Sequence, residues 1–329
     1  MIDETQAREV REQTRALTAQ IERRIVGHQN LVRGVLACLL ADGHVLLEGV
    51  PGLGKTLLVK TLGDALELEF ARIQCTPDLM PADIIGTQMV VEDERGGRVF
   101  EFRPGPVFTQ LLLADEVNRA TPKTQSALLE AMEEKAVTVG RERHSLASPF
   151  MVLATQNPIE MEGTYPLPEA QLDRFLLKLA ADYPSAEELS RIVEIATGTA
   201  PPEVEHTMSL EVLRTTRELV RQVVVADHVK DYAVRLVLAT HPGGDTAPEG
   251  IRRYVRHGSS PRGVLAMVLA AKAFAAMDGR LNVSFDDLNE AALPALRHRI
   301  LLNFEGEADA VGTDALVREL IDSVPVGER

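Results

Sequence analysis

Short apolar runs recur through the first half of this chain, with stretches of helical spacing between them. They lie at 44–48, 70–75, 111–114, 150–154 and 176–179. Ahead of them, residues 8–40 alternate apolar and charged positions at helical spacing, with a break at 26–28. Short apolar runs separated by helices are typical of parallel strands that are buried on both faces. The pattern therefore predicts an α/β fold with a five-stranded parallel sheet between helices.

Two segments interrupt this alternation of strands and helices. Residues 87–92 and 98–103 alternate around a Gly-Gly turn, which predicts a β-hairpin near 87–103. A second pattern of the same kind predicts a hairpin near 136–147. Neither hairpin is needed to complete the sheet, so we expect each to project from it.

From residue 184 onward the pattern is helical. Apolar spacing predicts helices at 185–196, 210–224, 227–240, 262–277 and 285–301. No internal repeat interrupts them. We therefore expect two domains, an α/β domain at 1–183 that contains both hairpins and an all-α domain at 184–329.

Composition and charge narrow the class of protein. The 329 residues include 35 lysines and arginines against 49 aspartates and glutamates, a net charge of −14. This balance disfavours nucleic acid as a partner, because coating it needs a basic surface. Cys38 and Cys75 have no metal-binding spacing, the N-terminus has no secretory pattern, and no apolar stretch is long enough to span a bilayer. We expect a cytoplasmic protein without membrane insertion.

The first predicted strand leads into the sequence Gly-Val-Pro-Gly-Leu-Gly-Lys-Thr at 49–56, which an apolar helix follows. A strand, a glycine-rich turn and a helix in this order form the phosphate-binding Walker A loop. Backbone N–H groups and the helix N-terminus attract phosphate, Lys55 can reach the β and γ phosphates, and the Thr56 hydroxyl can bind Mg²⁺. The residues predicted to bind the nucleotide are Gly49, Pro51, Gly52, Leu53, Gly54, Lys55, Thr56 and Leu57.

Polar residues also follow the third and fourth predicted strands. Asp115 is suited to hold Mg²⁺ through a water molecule, and Glu116 to orient and deprotonate the attacking water, as in a Walker B motif. Two solvated acids at a strand end are the alternative, but the preceding phosphate loop favours catalysis. Asn157 can contact the γ phosphate and the lytic water, although an Asn-Pro pair is also a common turn.

Several motifs in one order resemble those of the AAA+ ATPases, and within them the MoxR family. The resemblance covers nearly the whole chain and rests on residues 25–28, 49–56, 113–120, 154–158, 167–175, 258–262 and 296–300. It implies ATP hydrolysis with Mg²⁺ and assembly into a homo-oligomeric ring, which in this family usually has six subunits. The guanine-recognition signature of common GTPases is not visible in the sequence, which also favours ATP.

The resemblance implies roles for further residues. Arg174 would be an arginine finger that reaches the nucleotide of a neighbouring subunit, where a fixed guanidinium neutralises developing charge. Arg262 would be a second sensor for the γ phosphate of its own subunit. A surface ion pair and a helix cap are the respective alternatives. Val26, Gly27 and His28 would border the adenine, with His28 standing where many relatives carry Gln.

For function, the resemblance implies a chaperone-like ATPase that remodels a protein client or matures a complex. Metal or cofactor insertion is one such task, with a von Willebrand A domain protein as partner, and the hairpins would contact client or partner. Two alternatives stay open: a nucleic-acid-linked AAA+ motor, and an ATP-gated scaffold with little turnover. The acidic charge weighs against the first, and the presence of Glu116 and Arg174 against the second.

Overall fold

The computed structural model describes residues 2–49, 54–92, 97–157, 163–198 and 202–327. The helices up to residue 183 are α1 (Glu4–Glu22), α2 (Gln29–Leu40), α3 (Lys55–Leu66), α4 (Pro81–Ile85), α5 (Pro122–Glu134) and α6 (Glu169–Leu172), with a 3-10 turn at Val117–Arg119. The strands are β1 (Val45–Glu48), β2 (Phe70–Gln74), β3 (Gly86–Glu92), β4 (Arg98–Pro104), β5 (Leu111–Asp115), β6 (Ala136–Val139), β7 (Glu142–Ser145), β8 (Met151–Gln156) and β9 (Leu177–Ala180). All five predicted sheet strands and both hairpins are therefore confirmed.

The main sheet has the strand order β2-β5-β8-β1-β9, and all of its strands are parallel. Val45 at the start of β1 lies opposite Leu153 on one side and Leu177 on the other. Because the strands share one direction, their ends form two distinct edges of the sheet. We call them the carboxyl edge, at Asp115, Gln156 and Glu48, and the amino edge, at Leu111, Met151 and Val45.

The side chains of the central strands alternate between two hydrophobic layers. Leu111 and Leu113 of β5 pack in the layer that includes α1, α2 and α3, whereas Leu112 and Ala114 pack in the layer that includes α5. All four are fully buried. Helices cover both faces of the sheet, which explains why its strands read as unbroken apolar runs.

The predicted break at 26–28 separates α1 from α2. Gly27 and His28 both have left-handed backbone angles, with φ of 73° and 58°, and His28 is the N-cap of α2. A Cβ atom at position 27 would lie 2.3 Å from a carboxylate oxygen of Glu188. The left-handed backbone angle favours glycine there, and a larger residue would also displace the Glu188 side chain.

Both hairpins stand apart from the main sheet as separate antiparallel pairs, as predicted. The rings of Phe102 and His144 stack with their centroids 3.9 Å apart, which holds the first hairpin against the second. On the same face as Phe102, Phe100 and its cross-strand partner Val90 are 75% and 56% exposed. The first hairpin therefore presents apolar side chains to solvent.

The chain after residue 184 is mainly helical. Its helices are α7 (Ala186–Thr197), α8 (Leu210–Gln222), α9 (Asp227–Ala239), α10 (Glu249–Tyr254), α11 (Pro261–Met277), α12 (Phe285–Leu296), α13 (Phe304–Ala308) and α14 (Thr313–Ser323). The sequence pattern does not predict α10, α13 and α14. The N-terminal helix α1 packs against α11 as well as α3. Within the described ranges, no helix has the length and apolar character needed to cross a bilayer.

One predicted helix is too long. The pattern predicts a helix at 285–301, but α12 ends at Leu296 and Leu301–Leu302 forms strand β11, which pairs with β10 (Val255–His257). His298 and Arg299, just beyond the helix end, hydrogen-bond to backbone carbonyls of residues 173–176. These side-chain bonds tie the residues after α12 to the segment before β9. A short strand pair accompanies the helices of the C-terminal part.

Candidate active site

Two of the four predicted catalytic residues, Glu116 and Asn157, lie at the carboxyl edge. Gly49 follows β1, Asp115 ends β5 and Asn157 follows β8, three adjacent strands of the sheet. The parallel sheet therefore brings the ends of the motifs together where α/β proteins bind ligands. Leu57, in the first turn of α3, is 41% exposed. The predicted residues Pro51, Gly52 and Leu53 lie outside the described residues.

Lys55 and Thr56 begin the helix that follows the phosphate loop. Gly54 is the N-cap of α3 with a left-handed φ of 73°. The ammonium group of Lys55 donates a hydrogen bond to the carbonyl oxygen of Gly49, across the base of the loop. Partial burial lowers the pKa of Lys55, while nearby carboxylates, chiefly Asp115, act in the opposite direction. A buried cation beside a helix N-terminus is suited to bind an anion.

The carboxylate of Asp115 is fixed by residues from both neighbouring strands. Thr155 of β8 donates a hydrogen bond from Oγ1 to Oδ1 at 2.6 Å. Arg72 of β2 forms an ion pair with Oδ2, with 2.7 Å between the nitrogen and oxygen atoms. These two residues orient a predicted metal ligand, and the sequence reasoning does not identify either of them.

The predicted base, Glu116, is held in a specific conformation. Its φ is 54°, and its backbone N–H donates to the hydroxyl of Thr155 at 2.8 Å. Its Oε2 accepts hydrogen bonds from Nε2 of Gln74 at 3.0 Å and from Nη1 of Arg119 at 2.8 Å. Thr155 thus links the two acidic residues, while Gln74 and Arg119 occupy one oxygen of the base.

Asn157 lies beside this acidic pair. It is 6% exposed, and its carbonyl oxygen accepts a hydrogen bond of 3.5 Å from Nδ2 of Asn118, which follows Glu116 in the chain. The end of β8 is thereby tied to the segment that follows β5. This arrangement is compatible with the predicted contact between Asn157 and a γ phosphate.

A cavity of about 490 Å³ lies where β9 ends and α2 begins. Two of the residues predicted to border the adenine, Gly27 and His28, line it, and Val26 is buried next to them. Its volume is in the range of small-molecule sites. The lining also includes side chains that the sequence reasoning does not identify, namely Asp182, Tyr183, Glu188 and Arg191. Asp182 and Tyr183 lie at the predicted domain boundary, and Glu188 and Arg191 lie in the helix predicted at 185–196.

The two predicted arginines lie at the amino edge. Arg174 precedes β9, and the N–H of Leu176 donates to the carbonyl of His44, just before β1. Between His44 and Gly49 the strand advances about 16 Å. Arg174 and Gly49 of the same chain are therefore on opposite edges of the sheet.

Arg262 lies with Arg174 and not with Lys55. Oε2 of Glu133, on α5, is 2.9 Å from Nε of Arg174, and Oε1 of the same carboxylate is 2.5 Å from Nη2 of Arg262. The expected contact of Arg262 with the γ phosphate of its own subunit is therefore wrong for this conformation. The reason is the packing of α11, whose first turn is anchored at the amino edge.

That anchor is Asp173, the residue before the predicted finger. Its Oδ2 accepts a hydrogen bond of 2.7 Å from the hydroxyl of Ser260, the N-cap of α11. Its Oδ1 accepts one of 2.7 Å from Nε of Arg299, whose side chain is 2% exposed. Burial lowers the pKa of Arg299, and burial likewise holds the pKa of His298 well below its usual range. The motif at 296–300 thus fastens the segment that carries Arg174.

The donor set at the carboxyl edge fits Mg²⁺. The Thr56 hydroxyl and the Asp115 carboxylate offer hard oxygen ligands, and Mg²⁺ characteristically uses one or two protein oxygens together with substrate phosphates. Within the part of the chain that is described, no cluster of three or more His, Cys, Asp or Glu side chains forms a metal cage of its own. Mg²⁺ would therefore be held jointly by the protein and the nucleotide.

Comparison with known proteins agrees with this architecture. Residues 44–177 match the ATPase family associated with various cellular activities (AAA), and residues 249–320 match the AAA lid domain. A crystal structure of a Cytophaga hutchinsonii protein, provisionally classed as an ATPase, superimposes with a TM-score of 0.91 at 37% identity, covering 99% of this chain and 98% of that one. The fold is that of an AAA+ ATPase with a C-terminal helical lid.

Among sequence relatives, the chain is 42% identical over 305 residues to Chaperone MoxR1 of Mycobacterium tuberculosis, covering 93% of this chain and 80% of that protein. It is 44% identical to YeaC of Bacillus subtilis, with 93% and 92% covered, and 31% identical to MoxR of Paracoccus denitrificans, with 91% of each covered. The chain belongs to the MoxR family of AAA+ ATPases.

Proposed function

We propose that this protein hydrolyses ATP in sites that two neighbouring copies build together. The observation that carries the proposal is the separation of Lys55 and Glu116, at the carboxyl edge, from Arg174 and Arg262, at the amino edge. Both arginines lie at the edge opposite Gly49 and Lys55 of their own chain. Both are suited to reach a nucleotide held at the carboxyl edge of another copy.

Within each site we assign the following roles. Lys55 and the loop backbone bind the phosphates, while Thr56 and Asp115 supply ligands for Mg²⁺. When bound, this ion neutralises phosphate charge. Glu116 takes a proton from the attacking water, and Asn157 holds that water and the γ phosphate in line. Gln74 and Arg119 orient the carboxylate of Glu116 through Oε2, and Oε1 would accept the hydrogen bond from the water.

The adenine would lie in the cavity lined by Gly27 and His28. Asp182 and Tyr183 of the same lining belong to the segment that joins the α/β part to α7, and Glu188 lies in α7 itself. We propose that this segment joins the domains 1–183 and 184–329. Binding of a nucleotide in the cavity would then change the position of the helical domain relative to the α/β domain.

Contacts between opposite edges of identical copies are heterologous and generate a ring when the rotation closes. We propose such a ring, with six subunits as the family expectation. It would act in the cytoplasm on a protein client, for maturation or for metal or cofactor insertion, with a von Willebrand A domain protein as partner. The exposed Phe100 and Val90 of the first hairpin are the surface we propose for the client.

Turnover measurements on the purified full chain test the proposal. Steady-state hydrolysis of ATP with Mg²⁺, followed over a range of protein concentrations, should show a rate per subunit that rises as the ring assembles. A rate per subunit that stays constant in a strictly monomeric sample would contradict shared sites. Stimulation by DNA that disappears with salt would instead favour a nucleic-acid motor.

A further inference from the structure

We propose that Glu133 is a positioning residue that joins Arg174 and Arg262 into one cationic unit for the neighbouring nucleotide. This inference rests on the proposed function and adds a residue that neither motif contains. Its starting point is the shared carboxylate, in which each oxygen contacts a different arginine. The three side chains come from α5, from the segment before β9 and from α11.

The geometry suits a bridge that leaves both arginines available. Arg174 contacts Glu133 through Nε, in an ion pair that is not an aligned hydrogen bond. Arg262 contacts Glu133 through Nη2 alone. Each guanidinium therefore keeps further N–H groups for a phosphate. The side chains of Arg174, Arg262 and Glu133 are 28%, 45% and 38% exposed, so the group faces solvent, where a second copy could approach.

Charge explains why a bridge is needed. Two guanidinium groups that touch one carboxylate lie close enough to repel each other, and the carboxylate between them offsets this repulsion. The group keeps one net positive charge, so it still attracts phosphate. Without Glu133, the two arginines would separate into many rotamers and lose their common orientation.

The backbone around Glu133 is firmly placed. Met132, the preceding residue, is buried, and its carbonyl oxygen accepts a hydrogen bond from the ring of His44 at 3.1 Å. The bond between Ser260 and Asp173 fixes the two arginine-bearing segments relative to each other. Glu133 thus acts on side-chain orientation within a frame that other residues maintain.

The matched control is Glu134 on the same helix. It is also exposed, and its ion pair is with Arg143, at 3.4 Å, instead of with the two arginines. Glu133→Gln and Glu134→Gln remove the same charge from adjacent positions. They change the overall charge of this surface equally and differ in whether they release Arg174 and Arg262.

Steady-state kinetics of the full chain test the proposal. For Glu133→Gln we expect kcat to fall about tenfold or more with an ATP KM within about twofold of wild type, because only the transition-state contact is lost. Glu134→Gln should stay within about twofold of wild type in both constants. Glu133→Asp keeps the charge with a shorter reach, so it should lie between wild type and Glu133→Gln, and it carries the test if Glu133→Gln does not fold.

A second background separates positioning from a structural role. In Arg262→Ala, which already lacks one of the two bridged partners, Glu133→Gln should reduce kcat by a smaller factor than in wild type. An equal factor in both backgrounds, an unchanged kcat or a raised kcat in Glu133→Gln would overturn the proposal. If the wild-type chain itself does not hydrolyse ATP, it is the proposed function that fails. Loss of activity in Arg174→Ala with full activity in Glu133→Gln would leave that function intact and reject only the bridge.

Discussion

The hydroxyl of Ser260 donates a hydrogen bond of 2.7 Å to the carboxylate of Asp173. Ser260 is the N-cap of the helix whose second residue is Arg262, and Asp173 immediately precedes Arg174. One bond therefore joins the segments that carry the two arginines. It also connects the helical part of the chain to the α/β part at the amino edge. Movement of the helical part should therefore change the position of Arg174.

Removing this bond should impair turnover beyond its effect on stability. Ser260→Ala also removes a helix cap, which should cost about 1 kcal/mol in the free energy of unfolding. Ser209→Ala is the matched control, because Ser209 caps α8 by accepting from the N–H of Val212. Urea unfolding should show a loss in both variants, and a larger one in Ser260→Ala because the bond to Asp173 is lost as well. Only Ser260→Ala should lower kcat, and equal ATPase rates in the two variants would contradict the coupling.

Binding and hydrolysis should separate at the carboxyl edge. Lys55→Ala should weaken ATP binding by about tenfold or more, because a charged contact to the phosphates is lost. Glu116→Gln should bind ATP normally while turnover falls by about 100-fold or more, as expected for loss of a general base. Equilibrium binding of a fluorescent ATP analogue and phosphate release measure the two effects. Lys60→Ala, an exposed change on the same helix, is the control for Lys55→Ala.

Thr155 lies within the motif at 154–158, and we expect it to matter for catalysis although the sequence predicts no role for this side chain. Thr155→Val keeps the shape but removes the hydroxyl that links Asp115 to the backbone of Glu116. We expect kcat to fall about tenfold or more, because the metal ligand and the base lose their orientation. Thr155→Ser keeps the hydroxyl and should keep most of the activity. Equal rates for the valine and serine variants would show that the link is dispensable.

His44 should make stability depend on pH. It is buried, accepts a hydrogen bond at Nδ1 from the N–H of Val152 and donates from Nε2 to the carbonyl of Met132. Burial lowers the pKa of His44 from 6.5 to about 4. As pH falls, His44 is therefore protonated in the unfolded chain before it is protonated in the folded protein. The free energy of unfolding is at its full value above the unfolded-state pKa of 6.5, and it decreases as pH falls toward the folded-state pKa of about 4. Between about pH 7.5 and about pH 5 this amounts to about 2 kcal/mol.

Urea titrations at those two pH values measure the effect. In His44→Gln the loss of unfolding free energy on acidification should be smaller than in wild type by about that amount. His206→Gln, at an exposed position, should lose as much as wild type does. An unchanged pH dependence in His44→Gln would show that His44 does not carry the effect.

The sheet was predictable because its strands are buried on both faces, so that β5 and β8 read as uninterrupted apolar runs. The carboxyl-edge residues were predictable for a related reason, since parallel strands bring Asp115 and Asn157 together wherever they end. Residues such as Arg72 and Gln74 could not be predicted as part of the site. They lie on the edge strand β2, and their role follows only from their hydrogen bonds to Asp115 and Glu116 at the end of β5.

Long-range packing accounts for what the sequence pattern misses. The residues that follow α12 are held by carbonyl groups more than a hundred residues earlier, which the side chains of His298 and Arg299 bind. The position of Arg262 depends in the same way on Asp173. Local periodicity contains neither relationship. For this reason the sequence pattern predicts too long a helix and does not predict that Arg262 lies at the amino edge.

Mixing two inactive variants tests the shared site most directly. Arg174→Ala lacks the finger and Glu116→Gln lacks the base, so each should hydrolyse little ATP when assayed alone. In mixed rings, an Arg174→Ala subunit beside a Glu116→Gln subunit recreates one complete site, and equal mixing should restore up to about a quarter of the sites. Co-purification of differently tagged subunits confirms that mixed rings form. The account predicts ATPase activity well above the sum of the separate variants; verified mixed rings with no more than that sum would contradict it.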